Sequence, residues 1–368
     1  MRVLVTGGAG FIGSHVVESL AGAGWDVRVL DLPVDPGGRK RSRHELHPEA
    51  EYVWGDVADP TVVRRAVLGI DAVSHQAAKV GLETGMADAA DYVTNNDLGT
   101  AVLLAGLEQA GFDGRLVLAS SMVVYGEGRY RCAEHGPVRP APRRPEHLSA
   151  GRFDPPCPEC GDALAVDTLD EEQPVDPRNV YAATKLHQEH LCSVFSRRTG
   201  VPVAALRYHN VYGARMPKDT PYAGVAAIFR SALERGEPPQ VFEDGRQARD
   251  FVHVTDVAAA NLAALTVDPA PEGPFNVATG VPHTVGEMAQ ALTDGFGPGA
   301  PRPLVTGAWR LGDVRHVLAS PARARQHLGF QARTGFAEGM AELATAPLSE
   351  AGSPGQKPQK SVPQALTP

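Results

Sequence analysis

The chain has 368 residues, with Lys+Arg 35 against Asp+Glu 43 and a net charge of −8; at about 100–200 residues per domain this is one large domain or two that share a core. Apolar residues at 43% and charged residues at 21% exclude disorder of the whole chain, and the acidic balance excludes nucleic acid or an anionic membrane as the main partner. Four cysteines are too few for a disulfide scaffold, and no apolar run reaches the ~18 residues that span a bilayer. The apolar run Val3 to Val5 is far too short for a signal peptide, so a soluble, cytoplasmic protein is expected.

In chain order, RVLV (2–5), VRVL (27–30), EYVW (51–54), DAVSH (71–75) and RLVLAS (115–120) read as buried parallel strands. Between them SHVVESLAGAG, PTVVRRAVLG and YVTNNDLGTAVLLAGLEQAG carry apolar residues at helical spacing. Such alternation with right-handed crossovers predicts an α/β, doubly wound parallel sheet. A sixth strand, VPVAALRY (201–208), follows the helix that begins at Tyr181, and PFNVAT (274–279) rejoins the sheet. The nucleotide-binding domain thus covers 1–214, broken by a Pro-, Arg- and Cys-rich insertion at 127–168. A smaller substrate domain takes most of 215–345, with 251–280 returning to the first domain. Residues 346–368 have the composition of a disordered tail.

After the first strand comes Thr6-Gly7-Gly8-Ala9-Gly10-Phe11-Ile12-Gly13, then helix. Glycines at 7, 10 and 13 serve a tight turn, backbone approach to a pyrophosphate and close packing of helix on strand. The helix N-terminus then faces the phosphates. Asp31 ends the next strand, where a carboxylate accepts the adenosine ribose hydroxyls and repels a 2′-phosphate. NAD is therefore expected over NADP, with the basic run Arg39 to Arg43 read as a solvated loop. Asp56 is placed to cap the adenine amino group.

Tyr181 and Lys185 stand four apart on one helical face. Ser120 and Ser121 close the fifth strand, at the end where ligands bind in such sheets. A serine, a tyrosine and a lysine together form a proton-transfer set, because the ammonium lowers the phenol pKa and the serine bonds the reacting oxygen. The motifs TGGAGFIG, GDV, HQAA, NNDLGT, SSMVVYG, YAATK, RYHNVYG and RDFVHVTD occur in the order seen in extended short-chain dehydrogenase/reductases. The chain most resembles their NDP-sugar epimerase/dehydratase group, from residue 1 to about 340 apart from the insertion.

That resemblance implies Tyr181 as base, Lys185 on the nicotinamide ribose and Ser121 on the sugar hydroxyl. It implies a cofactor set of Gly7, Gly10, Phe11, Ile12, Gly13, Asp31, Asp56, Val57, Ala77, Ala78 and Asn96 beside Tyr181 and Lys185. Asn210 and Arg249 match positions that grip the sugar-nucleotide diphosphate; Arg310 and Arg315 are further candidates, since a forked guanidinium suits phosphate oxygens. Where sugar 4,6-dehydratases carry an Asp-Glu pair, this chain has Met122 and Val123, which cannot transfer a proton. Epimerisation of a nucleotide sugar, most simply at C4 through a 4-keto intermediate, is therefore expected. An NDP-sugar reductase or dehydrogenase, and a non-catalytic NAD-binding sensor, are the alternatives. A homodimer through the helices at 92–110 and 181–198 is implied as well.

The insertion has its own signature. Cys132-Ala-Glu-His135-Gly and Cys157-Pro-Glu-Cys160-Gly are two matching knuckles, in which two residues between ligands let both reach one ion and the glycine permits the turn. Cys132, His135, Cys157 and Cys160 predict a closed, structural zinc site; free thiols or a disulfide are the alternatives. Cys192, in the Tyr181 helix, is expected in the core.

Overall fold

The computed structural model describes residues 1–34, 46–81, 86–218 and 224–349. Seven parallel strands form the central sheet: β1 (Arg2–Thr6), β2 (Asp26–Asp31), β3 (Glu51–Trp54), β4 (Ala72–His75), β5 (Arg115–Ser121), β6 (Val203–Tyr208) and β7 (Gly273–Val277). Their spatial order is β7-β6-β5-β4-β1-β2-β3, the doubly wound arrangement whose order reverses beside β1. Each sequence-predicted strand is present. Alternation along the strands divides the core into two layers. Val3, Val5, Val117, Ala119, Ala204 and Leu206 face one layer; Leu4, Leu116, Leu118, Val203 and Ala205 face the other.

Helix Phe11–Gly22 covers the first layer through Val16, Val17 and Leu20. The late helix Val254–Thr266 joins it there, burying Val257, Ala260, Ala264 and Leu265 in the same cluster. The second layer is closed by Pro60–Ala66, Gly99–Gln109 and Val180–Thr199. Cys192 is in this layer, 1% exposed, and burial pushes its thiol up to about 12.

One predicted helix is not regular. Its stretch Val93–Leu98 is π-helical, with the Gly99 N–H reaching back to the Thr94 carbonyl. The cause is competition by side chains for main-chain groups. The Thr94 hydroxyl donates to Ala90 O at 2.8 Å, while Thr100 and Gln188 both donate to Asn96 O. The widened turn sets Asn96 inward, 0% exposed. Single-turn π segments of this kind concentrate at functional sites.

Beyond the carboxyl ends of the strands, Asn210–Tyr212 pairs parallel with Ala248–His253, which pairs antiparallel with Pro282–Thr284. Helices Val225–Glu234, Val285–Phe296 and Phe336–Thr345 enclose a separate cluster containing Phe229, Leu233, Met288, Leu292, Met340 and Leu343. The insertion forms a small antiparallel sheet in the order Gly136–Val138, Arg129–Cys132, Ala165–Asp167. The first residues of the expected tail are built in: Ser349 N donates to Met216 O at 2.9 Å and Lys218 N to Ser349 O at 3.1 Å. Residues 350–368 and the run Arg39 to Arg43 lie outside the described residues. Among the described residues no helix is long and apolar enough to cross a membrane.

Candidate active site

The glycine turn after β1 is fixed by contacts that admit no side chain. Gly7 has φ +69°, and a Cβ there would lie 2.8 Å from Ala77 N. A Cβ on Gly13 would lie 2.1 Å from Gly7 O, so helix and turn touch at the backbone. Gly10 N donates to Gly7 O at 3.1 Å, and helix Phe11–Gly22 starts with no side-chain cap on its first N–H groups. Phe11 packs on the helical cluster and Ile12 on the sheet core. Asp31 accepts from Ala9 N at 2.8 Å through Oδ2 and from Leu32 N at 2.7 Å through Oδ1. Its carboxylate is thereby oriented across the mouth of the turn. Asp56 accepts from Ala58 N at 2.8 Å, Val57 packs on the second core layer, and Ala77 N donates to Thr6 Oγ1 at 3.2 Å with Ala78 following it. A turn that a Cβ would fill, an uncapped helix N-terminus and a fixed carboxylate fit a dinucleotide.

His75 fastens this floor. Its Nδ1 lies 2.6 Å from Thr6 Oγ1 and its Nε2 2.9 Å from Thr100 Oγ1. Thr100 already donates to Asn96 O, so Nε2 carries the proton and Nδ1 accepts. Burial lowers the ring to about 3, keeping it neutral. Asn96 accepts from Lys79 N at 2.7 Å and donates to Lys79 O at 3.0 Å and Thr184 Oγ1 at 2.9 Å. It therefore ties the π-helical turn to the Tyr181 helix.

That helix begins where Asn179 accepts from Ala182 N at 2.7 Å and ends at Gly200 with φ +77°. Tyr181 and Lys185 project from its first two turns toward the end of β5. The Lys185 Nζ donates to Ala119 O at 2.9 Å and lies 6.0 Å from the centroid of the Tyr181 ring. Burial lowers the ammonium to about 8, opposed by the nearby Glu189 carboxylate. Burial likewise raises the Tyr181 phenol to about 12, opposed by a hydrogen bond with the Ser121 hydroxyl. Serine, tyrosine and lysine thus stand together at the carboxyl end of β5, but the phenol is raised by burial and not lowered by the ammonium, which is bonded to Ala119 O.

A polar chain that the sequence reading did not find lies behind them. Glu189, one turn past Lys185, accepts from the Ser120 hydroxyl and takes the Arg207 guanidinium in two bonds, at 2.9 and 2.8 Å. Arg207 also donates to Tyr125 OH at 2.9 Å, and Tyr125 donates to Asn276 Oδ1 at 2.8 Å. The i, i+4 spacing of Lys185 and Glu189 is the signal that could have revealed this chain.

The predicted substrate residues separate into two groups. Among the described residues, Asn210 Oδ1 is buried with no protein partner. Arg249 donates to Ala248 O at 2.9 Å and Arg315 O at 2.8 Å through Nη1, and to Val314 O at 2.7 Å through Nη2. Among the described residues its Nε–H and second Nη2–H have no partner, which leaves the paired edge that suits two oxygens of an anion. Burial lowers its pKa, and among the described residues no carboxylate bonds it. Arg310 is exposed and stacks 5.0 Å over Phe242.

Arg315 corrects an expectation. It is 0% exposed, and its guanidinium is taken by Asp154 at 2.7 Å, Glu243 at 2.9 Å and Asp244 at 2.7 and 2.9 Å. A fork neutralised by three carboxylates is unavailable to a diphosphate. It joins the insertion to the substrate region instead.

The insertion's ligands meet at one point. The donor atoms of Cys132, His135, Cys157 and Cys160 all lie within 4.8 Å of one another. Cys132 Sγ is 3.7 Å from Cys160 Sγ and 3.5 Å from His135 Nδ1, and Cys157 Sγ is 3.7 Å from the same nitrogen. A tetrahedral zinc with bonds of about 2.3 Å to sulfur and 2.0–2.1 Å to nitrogen sets edges of about 3.8 and 3.5 Å. Main-chain N–H groups of His135 and Glu134 hold the Cys132 thiol below its ordinary pKa. Gly136 and Gly161, at φ +68° and +81°, make the knuckle turns.

The NAD dependent epimerase/dehydratase family matches residues 3–145 and 157–278, the break falling inside the insertion. A dTDP-L-rhamnose 4-epimerase of Burkholderia thailandensis is 32% identical over 348 residues, 94% of this chain and 94% of that one. A UDP-glucose 4-epimerase of Mycolicibacterium smegmatis is 32% identical across 93% of this chain and 97% of its own. The solved structure of the Thermus thermophilus UDP-glucose 4-epimerase, in complex with NAD, shares the fold with a TM-score of 0.73 at 32% identity, covering 94% of this chain and 98% of that one. With this coverage and the site geometry above, the chain belongs to the NAD-dependent epimerase/dehydratase family.

Proposed function

We propose that the protein is an NAD-dependent 4-epimerase of a nucleotide sugar, a homodimer with one structural zinc in its insertion. The observation that carries this reading is the meeting of Ser121, Tyr181 and Lys185 at the end of β5, followed by the apolar pair Met122 and Val123. Ser121 holds the sugar O4 by hydrogen bond while Tyr181 takes its proton and later returns it. The Lys185 ammonium favours the phenolate during that interval. When bound, NAD supplies the acceptor that holds the C4 hydride and gives it back. Asp31 would receive the adenosine ribose, Gly7, Gly10 and Gly13 the pyrophosphate, and Lys185 the nicotinamide ribose. Phe11, Ile12, Asp56, Val57, Ala77, Ala78 and Asn96 complete that cradle.

Arg249 and Asn210, with Arg310 at the rim, would receive the substrate diphosphate. Met122 packs against Val124, Leu169 and Val317 and has no proton to give, which supports epimerisation over dehydration. The related 4-epimerases act on dTDP-L-rhamnose and UDP-glucose, so UDP- and dTDP-sugars are the first substrates to screen. Purified protein without added cofactor should convert one of them to its C4 epimer, identified by NMR. Stoichiometric release of reduced cofactor would favour the dehydrogenase alternative.

The zinc reading has its own test. Protein purified without chelator should contain about one zinc per chain by elemental analysis, and Cys157→Ser should lower that sharply. Metal loss should expose the insertion to protease while the sheet, with its own core, stays folded. A stoichiometry near zero would refute the site.

A further inference from the structure

The insertion is fastened at two ends. Its outer end carries the Cys/His cluster, and its inner end grips one stretch of chain, residues 313–316. Glu127 accepts from Arg315 N at 2.9 Å and His316 N at 3.2 Å through Oε1. Arg143 donates to Asp313 O at 2.7 Å and pairs with buried Glu243 at 2.8 Å. Asp154, three residues before Cys157, accepts from Arg315 Nε at 2.7 Å and faces His316 Nε2 at 3.3 Å. His316 Nδ1 accepts from Ala248 N at 3.1 Å, so the proton sits on Nε2 and points at Asp154. The chain entering the insertion is equally close: a Cβ on Gly128 would lie 2.1 Å from His316 O.

The stretch so gripped is the one that holds Arg249. Two of the three carbonyls that fix its guanidinium belong to Val314 and Arg315. Those carbonyls decide where the unpartnered Nε–H and Nη2–H edge points. Two insertion residues, Glu127 and Arg143, therefore bond the main chain that aims one guanidinium, a third, Asp154, holds the Arg315 and His316 side chains of the same stretch, and none of the three touches that guanidinium by hydrogen bond.

We infer that the insertion is a positioning element for Arg249, presenting its free edge to the diphosphate of the nucleotide substrate, with Glu127, Arg143 and Asp154 as positioning residues. This rests on the proposed role of Arg249 as a diphosphate ligand. It adds that the insertion governs nucleotide affinity without bearing on the NAD cradle.

A double-mutant cycle on the full-length, NAD-loaded protein tests it, with UDP and dTDP as the titrated probes in calorimetry. Arg249→Ala should weaken the better-bound probe on the order of 100-fold, the loss of a charge-assisted paired contact. Glu127→Ala should weaken it about 5-fold, inside the range for coupled neighbours. In the Arg249→Ala background Glu127→Ala should change nothing further, and Glu127→Gln, which keeps an acceptor for Arg315 N, should recover most of the affinity. NAD content should be unchanged throughout. If Glu127→Ala does not yield folded protein, Asp154→Ala takes its place, since that side chain is 69% exposed.

Additive effects, an unchanged affinity in the single variant, or loss of NAD in step with loss of UDP would overturn the inference. So would a wild-type protein that binds neither probe. A wild-type protein that binds a probe but forms no epimer would defeat the epimerase reading and leave the cycle to decide this one. Absence of zinc would likewise defeat only the metal reading.

Discussion

Tyr181→Phe is expected to keep the fold and its NAD while turnover falls by about 10²–10⁴-fold, the usual contribution of one positioned acid/base group. The phenyl ring fills the same volume beside Tyr92, whose ring centroid is 6.1 Å away, so packing changes little. What is lost is the oxygen that the Ser121 hydroxyl hydrogen-bonds. Nucleotide affinity should be nearly unaffected, so the loss appears in kcat and not in KM. A variant retaining more than about a tenth of the wild-type rate would remove Tyr181 from the base role.

The second large effect is on stability. Glu189→Ala should destabilise the protein by roughly 3–5 kcal/mol, read from urea unfolding. Arg207 and Glu189 are 5% and 9% exposed at their side chains, and removing the carboxylate strands a buried guanidinium. Its remaining partners would be Tyr125 OH and the Glu171 carbonyl at 3.4 Å, neither of them charged. The double replacement Glu189→Leu with Arg207→Met should be less harmful than either single change, because no orphan charge remains. If Glu189→Ala costs under about 1 kcal/mol, the chain from Ser120 to Asn276 is not the scaffold described.

The sheet was legible because parallel strands buried on both faces leave continuous apolar runs, and each run from RVLV to PFNVAT needs only its own residues to be seen. The glycine turn, Asp31 and the Tyr181 helix were legible for a related reason: their geometry is local, and spacing along the chain encodes it. The Cys/His cluster followed from two short knuckles. The π-helical turn was not visible, because part of the competition for Asn96 O comes from Gln188 on another helix. Arg315 was misread for the same reason. An arginine beside Gly312-Asp313 looks free in one dimension, and nothing nearby in sequence announces Asp154, Glu243 and Asp244. Glu127 and Arg143 were passed over inside a segment that lacked periodicity, although their carboxylate and guanidinium fix the loop that holds Arg249.

The most direct test of the proposed chemistry uses a nucleotide sugar carrying deuterium at C4, chosen from the UDP- and dTDP-sugars by the substrate screen, with no cofactor added. The proposed chemistry requires the label to leave one face of C4 and return to the other within the same active site. The expected product is a C4 epimer that retains deuterium at C4, formed in ordinary water. Loss of the label to solvent, or its appearance in released reduced cofactor, would contradict it.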